Sequence, residues 1–118
     1  MPDRNAIRNF LLEMKMSLEF RPLVFVDRNK NLESLSQLGI LQTEVARVLK
    51  QITVSDYCDG PVNDDKGRNK QWWVFGPEHG GKVLYIKVCL TSLKNGSTQV
   101  ECVSFHEAER AMHYPFGQ

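Results

Sequence analysis

Two apolar runs near the end of the chain, KVLYIKVCL and VECVSF, carry side chains that a buried strand rarely holds. Tyr85 and Lys87 interrupt the first, and His106 follows the second. Histidine exchanges a proton near neutral pH, so it can serve as a general base or acid. Lysine brings a cation that can meet negative charge developing on an oxygen. Tyrosine brings a hydroxyl that can orient a substrate, or act as an acid where a neighbour draws its proton. These three can cooperate only if the fold brings them to one place.

The segment between the two runs supplies that placement. Asn95-Gly96 is a strong hairpin signal and predicts a two-residue type I′ turn. With Lys94 facing Ser97, Val88 then faces Val103, Ile86 faces Phe105, Lys87 meets Ser104 and Tyr85 meets His106. Leu84, Ile86, Val88 and Leu90 form one apolar face. Tyr85, Lys87 and His106 fall together on the other, outward one. A slip of one residue would bury Lys87, which is costly. The same register sets Cys89 opposite Cys102. The three outward side chains are expected to add little to the core. The ordinary reading of such a face is that its polar residues only solubilise it.

The remaining elements follow from periodicity. Within NAIRNFLLEMKMSLEF, Ile7, Phe10, Leu11, Met14 and Leu18 recur at helical spacing, and Pro22 ends the run. LVFV reads as a short strand. In NLESLSQLGI, Leu32, Leu35 and Leu38 share a helical face, with Gly39 as the stop. Thr43 is placed to cap a third helix whose Val45, Val48, Leu49 and Ile52 line one stripe. SDYCDGPVNDDKGRNK reads as a long polar loop, of the kind that is often functional or mobile. QWWVFG, KVLYIKVCL and TQVECVSF are strands, separated by PEHGG and LKNGS. The fold expected is α+β, with N-terminal helices packed on one face of an antiparallel β-meander.

A chain of 118 residues is one domain, 1-118, large enough for a single core. With 42% hydrophobic and 25% charged residues it is neither disordered nor fibrous. The net charge of +1 gives no general pull on nucleic acid, so a basic site must be local. Lys66, Arg68, Lys70, Lys82, Lys87 and Lys94 supply the material for one. An odd count of three cysteines without a CxxC pair argues against a disulfide framework or zinc ribbon. His79, His113 and Cys58 lack ligand spacing, so no metal is expected. No Walker loop, GxSxG or GxGxxG occurs, so no nucleotide cofactor is expected either. No signal segment or membrane-length apolar run is apparent, and a reduced, cytoplasmic protein with no membrane partner is the expectation.

In their order, DYCDGP, WWVFG, KVLYIKVCL and VECVSFHEAERAMHYPF make the C-terminal half resemble the MqsR family of type II toxin–antitoxin toxins. RNKNLESLSQLGI looks like a variant found in longer members, and the resemblance spans roughly residues 28–116. It implies a RelE-like α+β fold and a bacterial mRNA interferase, an endoribonuclease that works without a metal. It also implies two partners, mRNA and a cognate antitoxin protein. In that family a Tyr and a Lys share one strand, which matches Tyr85 and Lys87. A lysine there follows the Val-Ser-Phe of the last strand, where this chain has His106. The family's Trp followed by Gln is replaced by Gln71 followed by Trp72, which makes Gln71 the candidate substitute. A lysine near DYCDG is missing, and Lys66 or Lys70 is the candidate for its role.

RNA cleavage through the 2′-OH needs a base for that hydroxyl, an acid for the leaving 5′-oxygen and a cation at the phosphate. His106 fits base or acid, Lys87 the cation, and Tyr85 the orienting or acidic hydroxyl. Arg68 and Lys70 could hold phosphates, while Trp72 and Trp73 could stack on bases, although one of two adjacent strand residues should face the core. Two alternatives stay open. One is a non-catalytic module that binds RNA or protein on the same face, and the other is a degenerate toxin that keeps only the antitoxin surface.

Overall fold

The computed structural model describes residues 1–117. The apolar stripe of the first helical run produces α1 (Arg4–Phe20), and all five of its expected core residues are buried. Asp3 starts the helix by accepting the Ala6 N–H at 2.8 Å. Then come β1 (Val24–Phe25), α2 (Asn29–Leu38) and α3 (Val45–Lys50). Strands β2 (Tyr57–Asn63), β3 (Gln71–Phe75), β4 (Glu78–His79), β5 (Lys82–Ser92) and β6 (Thr98–Glu107) complete the domain. The sheet order is β1-β6-β5-β3-β2, with β4 paired to the start of β5. The fold is α+β, as expected, but the sheet is mixed, because β1 runs parallel to β6 beside an otherwise antiparallel meander.

Three local expectations are corrected. The first half of the supposed polar loop is strand β2, so the true loop is only Asp64–Lys70. Its polar sequence hides a strand because β2 is a bulged edge, with Val62 and its neighbours open to solvent. Thr43 does not cap α3. The chain enters that helix through a 3-10 turn, Gln42–Glu44, in which the Glu44 carboxylate accepts the Leu41 N–H at 3.0 Å. In α2, Leu35 is buried but Leu32 is exposed, and the inward face is completed by Asn31 and Ser34. Gly39 does stop the helix, with φ 69° in the left-handed region.

The hairpin between β5 and β6 differs from its expected form twice. Asn95 does not adopt a positive φ, whereas Gly96 does at 85°. A type I′ turn needs both, so Lys94, Asn95 and Gly96 form a three-residue loop closed by Leu93 N–H to Ser97 O at 2.8 Å. The true two-residue hairpin loop is Gly80-Gly81, both with positive φ, between the paired His79 and Lys82. The three-residue loop shifts the ladder, so Cys89 faces Glu101 rather than Cys102, and Val88 faces Cys102 rather than Val103. A bulge at Val103 then restores the other register. Beyond it Lys87 faces Ser104, Ile86 faces Phe105 and Tyr85 faces His106.

The outer edge of β6 needs a partner past Cys102, because β1 is only two residues long. Asn31 of α2 provides it. Its side-chain amide donates to Val103 O at 3.0 Å and accepts from Phe105 N–H at 3.1 Å, as one residue of a parallel strand would. The same amide nitrogen donates to Val26 O at 2.9 Å. Asn31 is 0% exposed, so no water can replace these bonds without rearrangement. Asn31→Ala should lower stability by about 3 kcal/mol, since it strands more than one buried backbone group. Asn31→Asp should cost at least as much, because two carbonyls would then face a carboxylate that cannot donate. Chemical denaturation measures both, and a loss below about 1 kcal/mol for both variants would contradict the role assigned to this side chain.

Candidate active site on the outer sheet face

Alternation along β5 sends Leu84, Ile86 and Val88 to the core and Tyr85, Lys87 and Cys89 to the opposite face. The bulge does the equivalent for β6, where Phe105, Cys102 and Val100 face inward and Ser104 and His106 face outward. Tyr85, Lys87 and His106 therefore share one face, as the spacing required. Tyr85 and His106 stack, with ring centroids 5.2 Å apart and planes within 12°.

This face is not a bare solvated surface. His106 is only 7% exposed. Beyond β6 the chain turns back across the strand ends, where Ala108 N–H bonds Val83 O at 2.8 Å and the Tyr114 hydroxyl bonds Gly76 O at 2.6 Å. Phe116 then packs on the core beside Tyr57. A Cβ at Gly76 would lie 2.8 Å from the Tyr114 oxygen, so a side chain there would push the hydroxyl out of its place. Residues Glu109–Met112 thus wall a cleft of about 460 Å³ whose other lining residues are Tyr85 and His106. The tail, whose part the sequence left open, is this wall. The expectation that His106 contributes little to packing is corrected accordingly.

The protonation of the pair follows from its contacts. His106 Nδ1 lies 2.9 Å from the carbonyl oxygen of Glu107. A carbonyl can only accept, so Nδ1 carries a proton, and Nε2 is the ring nitrogen left to give or take one. No buried side-chain nitrogen or oxygen among the described residues lacks a partner. Nε2 has no such bond, so the atom is not fully buried, and His106 is one of the residues that line the cleft. Burial pushes the Tyr85 hydroxyl above its ordinary pKa, reinforced by the Asp59 charge, while Arg28 and Lys30 pull the other way. Near neutral pH Tyr85 is a hydrogen-bond donor.

Two cations complete the face. Lys87 Nζ sits 5.9 Å from the centre of the Trp72 ring. Arg28, which the sequence did not single out, donates from Nη2 to Ser104 Oγ at 3.0 Å, and Ser104 is the cross-strand neighbour of Lys87. Among the described residues neither cation has a carboxylate within ion-pair distance. Arg28 lies 76 residues from Ser104 in the chain, so no local pattern could have found it.

The four residues assigned to RNA binding are differently disposed. Arg68 grips Asp64 with two bonds, Nε to Oδ2 at 2.8 Å and Nη2 to Oδ1 at 2.9 Å. Lys70 pairs with Glu101 at 2.8 Å. Gln71 is exposed and bonds Asn63 at 3.3 Å. Trp72 is 3% exposed and its indole N–H donates to Asp64 at 3.0 Å, so its ring offers no open face to a base. Trp73 points the other way and stacks on Phe10 in the core at 4.5 Å. Asp64 is the hub that the sequence missed, because its importance lies in what converges on it.

The Arg68 guanidinium and the Trp72 indole hold the Asp64 carboxyl well below the usual carboxylate range. A carboxylate depressed in the folded state adds stability above its unfolded pKa, and loses that contribution as pH falls through the folded value. Asp64 therefore steadies the loop above about pH 4 and withdraws that support on acidification. Asp64→Asn should flatten the fall of the melting temperature below about pH 4 and open Trp72 to an aqueous quencher at neutral pH. Acid melting curves and tryptophan emission read these out, and an acid limb identical to wild type would contradict the assignment.

Compared with family models, with curated proteins and with solved structures, the chain finds no significant match.

Proposed function

We propose that this chain is an endoribonuclease that cuts single-stranded messenger RNA through the RNA's own 2′-OH, acting as a toxin that a protein antitoxin neutralises. The observation that carries the reading is the unbonded Nε2 of His106, a residue lining a cleft beside the protonated Tyr85, with Lys87 and Arg28 free of ion pairs on the same face. His106 Nε2 takes the 2′-OH proton, and the 2′-oxygen bonds to phosphorus while the P–O5′ bond breaks. The leaving O5′ receives a proton from Tyr85 or from the imidazolium just formed. Lys87 offsets the charge on the phosphoryl oxygens. The products are a 2′,3′-cyclic phosphate and a free 5′-hydroxyl. No metal ion has a part in this sequence of steps. The toxin role and the antitoxin partner rest on the resemblance in the ordered C-terminal motifs.

A second reading, a binding module without chemistry, is favoured by the low exposure of His106. Incubating purified protein with RNA in the presence of a strong chelator separates the two. Cleavage should persist, should leave cyclic phosphate ends, and should stop when the scissile nucleotide carries 2′-hydrogen. His106→Ala and Tyr85→Phe should each slow it on the order of a hundredfold and relieve growth arrest when the chain is induced alone in a bacterium. Undiminished arrest in a folded double variant, or cutting of a 2′-deoxy site, would exclude this mechanism.

A further inference from the structure

The outer face gathers more cations than Lys87, and they differ in what already neutralises them. Arg68 is paired with Asp64, Lys70 with Glu101 and Lys30 with Glu109. An ion pair presents little net charge to a third group even a few ångströms away, and salt screens what is left. Arg28, like Lys87 and the cleft-wall Arg110, has no ion pair among the described residues. It is exposed, and its one side-chain bond goes to a neutral hydroxyl.

Its backbone is also fixed. The Arg28 N–H bonds Val26 O at 2.9 Å, and its carbonyl accepts the first helical bond of α2 from Leu32 N–H at 3.0 Å. Val26 O is one of the two carbonyls held by Asn31. The backbone of Arg28 is therefore held between β1 and α2, and Ser104 Oγ seats one corner of the guanidinium. The other N–H groups of the fork remain to be used, in the planar geometry that suits two oxygens of one phosphate. Arg28, Ser104 and Lys87 lie in one row across the outer face, next to the row of Tyr85 and His106.

We propose that Arg28 is a phosphate-holding residue of this face, where its guanidinium grips a phosphodiester of single-stranded RNA and so positions the strand across Lys87 toward the Tyr85–His106 cleft. The proposal deepens the RNA-cleavage reading and rests on it for the identity of the ligand. Arg28 acts by holding the strand and takes no proton in the reaction. Its loss should therefore appear in binding and KM rather than in kcat.

The test uses a single-stranded RNA with 2′-O-methyl groups throughout, which binds but cannot be cut, followed by fluorescence anisotropy over a range of salt concentrations. Cleavage of the unmodified RNA is measured in parallel. Arg28→Gln should weaken binding about tenfold, the size of one lost charge-assisted contact. It should also reduce the salt slope by about 0.7, the value for one phosphate on a single strand. KM should rise with kcat changed by less than about threefold, and Arg28→Lys should recover the salt slope but only part of the affinity. Lys94→Gln, in the exposed hairpin loop, serves as the control and should change the slope less. An unchanged slope in a folded Arg28→Gln, with wild-type binding and cleavage intact, overturns the role of Arg28 and leaves the cleavage reading standing. RNA binding that depends on Arg28 without any cleavage sinks the enzyme reading and supports the phosphate grip. Weakened binding that Arg28→Lys does not rescue, together with a lowered melting temperature, would show a merely structural residue and overturn the proposal. A wild-type chain that binds no RNA overturns both.

Discussion

The outer edge of β6 sets the terms for most of this molecule. Its backbone must be satisfied past the point where β1 ends, and one buried amide, that of Asn31, does it. An orphaned buried N–H or C=O costs as much as a lost hydrogen bond, so α2 cannot leave this edge without a penalty. Because Asn31 spans Val103 and Phe105, it also braces the stretch of β6 that holds the bulge. That bulge decides which side chains of β6 face outward. A single side chain thereby links the seating of a helix, the register of the longest hairpin and the orientation of Ser104 and His106.

The hairpin shows how the expected cross-strand placement of three side chains can emerge from an incorrect turn type. Asn95-Gly96 marked the reversal truly, but the turn type was wrong, since only the glycine takes a positive φ. Alternation carried from the turn would have failed by one residue at the site if the strands were regular. The Val103 bulge inserts one residue and returns Tyr85 to His106. What made the placement legible was the cost of burying Lys87 against the benefit of burying Ile86, Val88 and Phe105. That constraint acts at the site itself, and the ladder between turn and site adjusts to it. The helices were legible for a similar reason: α1 and α3 bury the stripes that their spacing marks. The α2 face was misread because its key inward residue is polar, and an amide that completes a sheet leaves no hydrophobic period.

Charge was the least legible property. From sequence alone, Arg68 and Lys70 beside a polar loop resemble a basic patch. In the fold each is answered by an acid, Asp64 four residues upstream and Glu101 thirty-one residues downstream. Asp64 also receives the Trp72 indole, so the loop folds over that part of the outer face instead of offering an aromatic surface. Arg28 was passed over because it stands in an unremarkable turn before a helix, yet tertiary structure brings it to Ser104 without a carboxylate. Basic character in a nearly neutral chain is a question of which cations remain unanswered after folding, and composition cannot say.

The outer face is consequently divided. The Asp64 loop covers Trp72 at one end, and the Glu109–Met112 segment walls the Tyr85–His106 cleft at the other. Between them lies the row that contains Lys87 and Ser104, with Arg28 at its edge. Both covered ends are held by specific polar contacts, so the groups that remain free are few and their positions are set. For a protein of net charge +1 this matters more than total charge. Two cations without an ion pair in one row, beside the His106 imidazole and the cleft-wall Arg110, concentrate positive charge that a uniform scatter of the same groups would dilute, against the opposing charge of Asp59 near Tyr85. The pairing elsewhere on the face is what gives those two their weight.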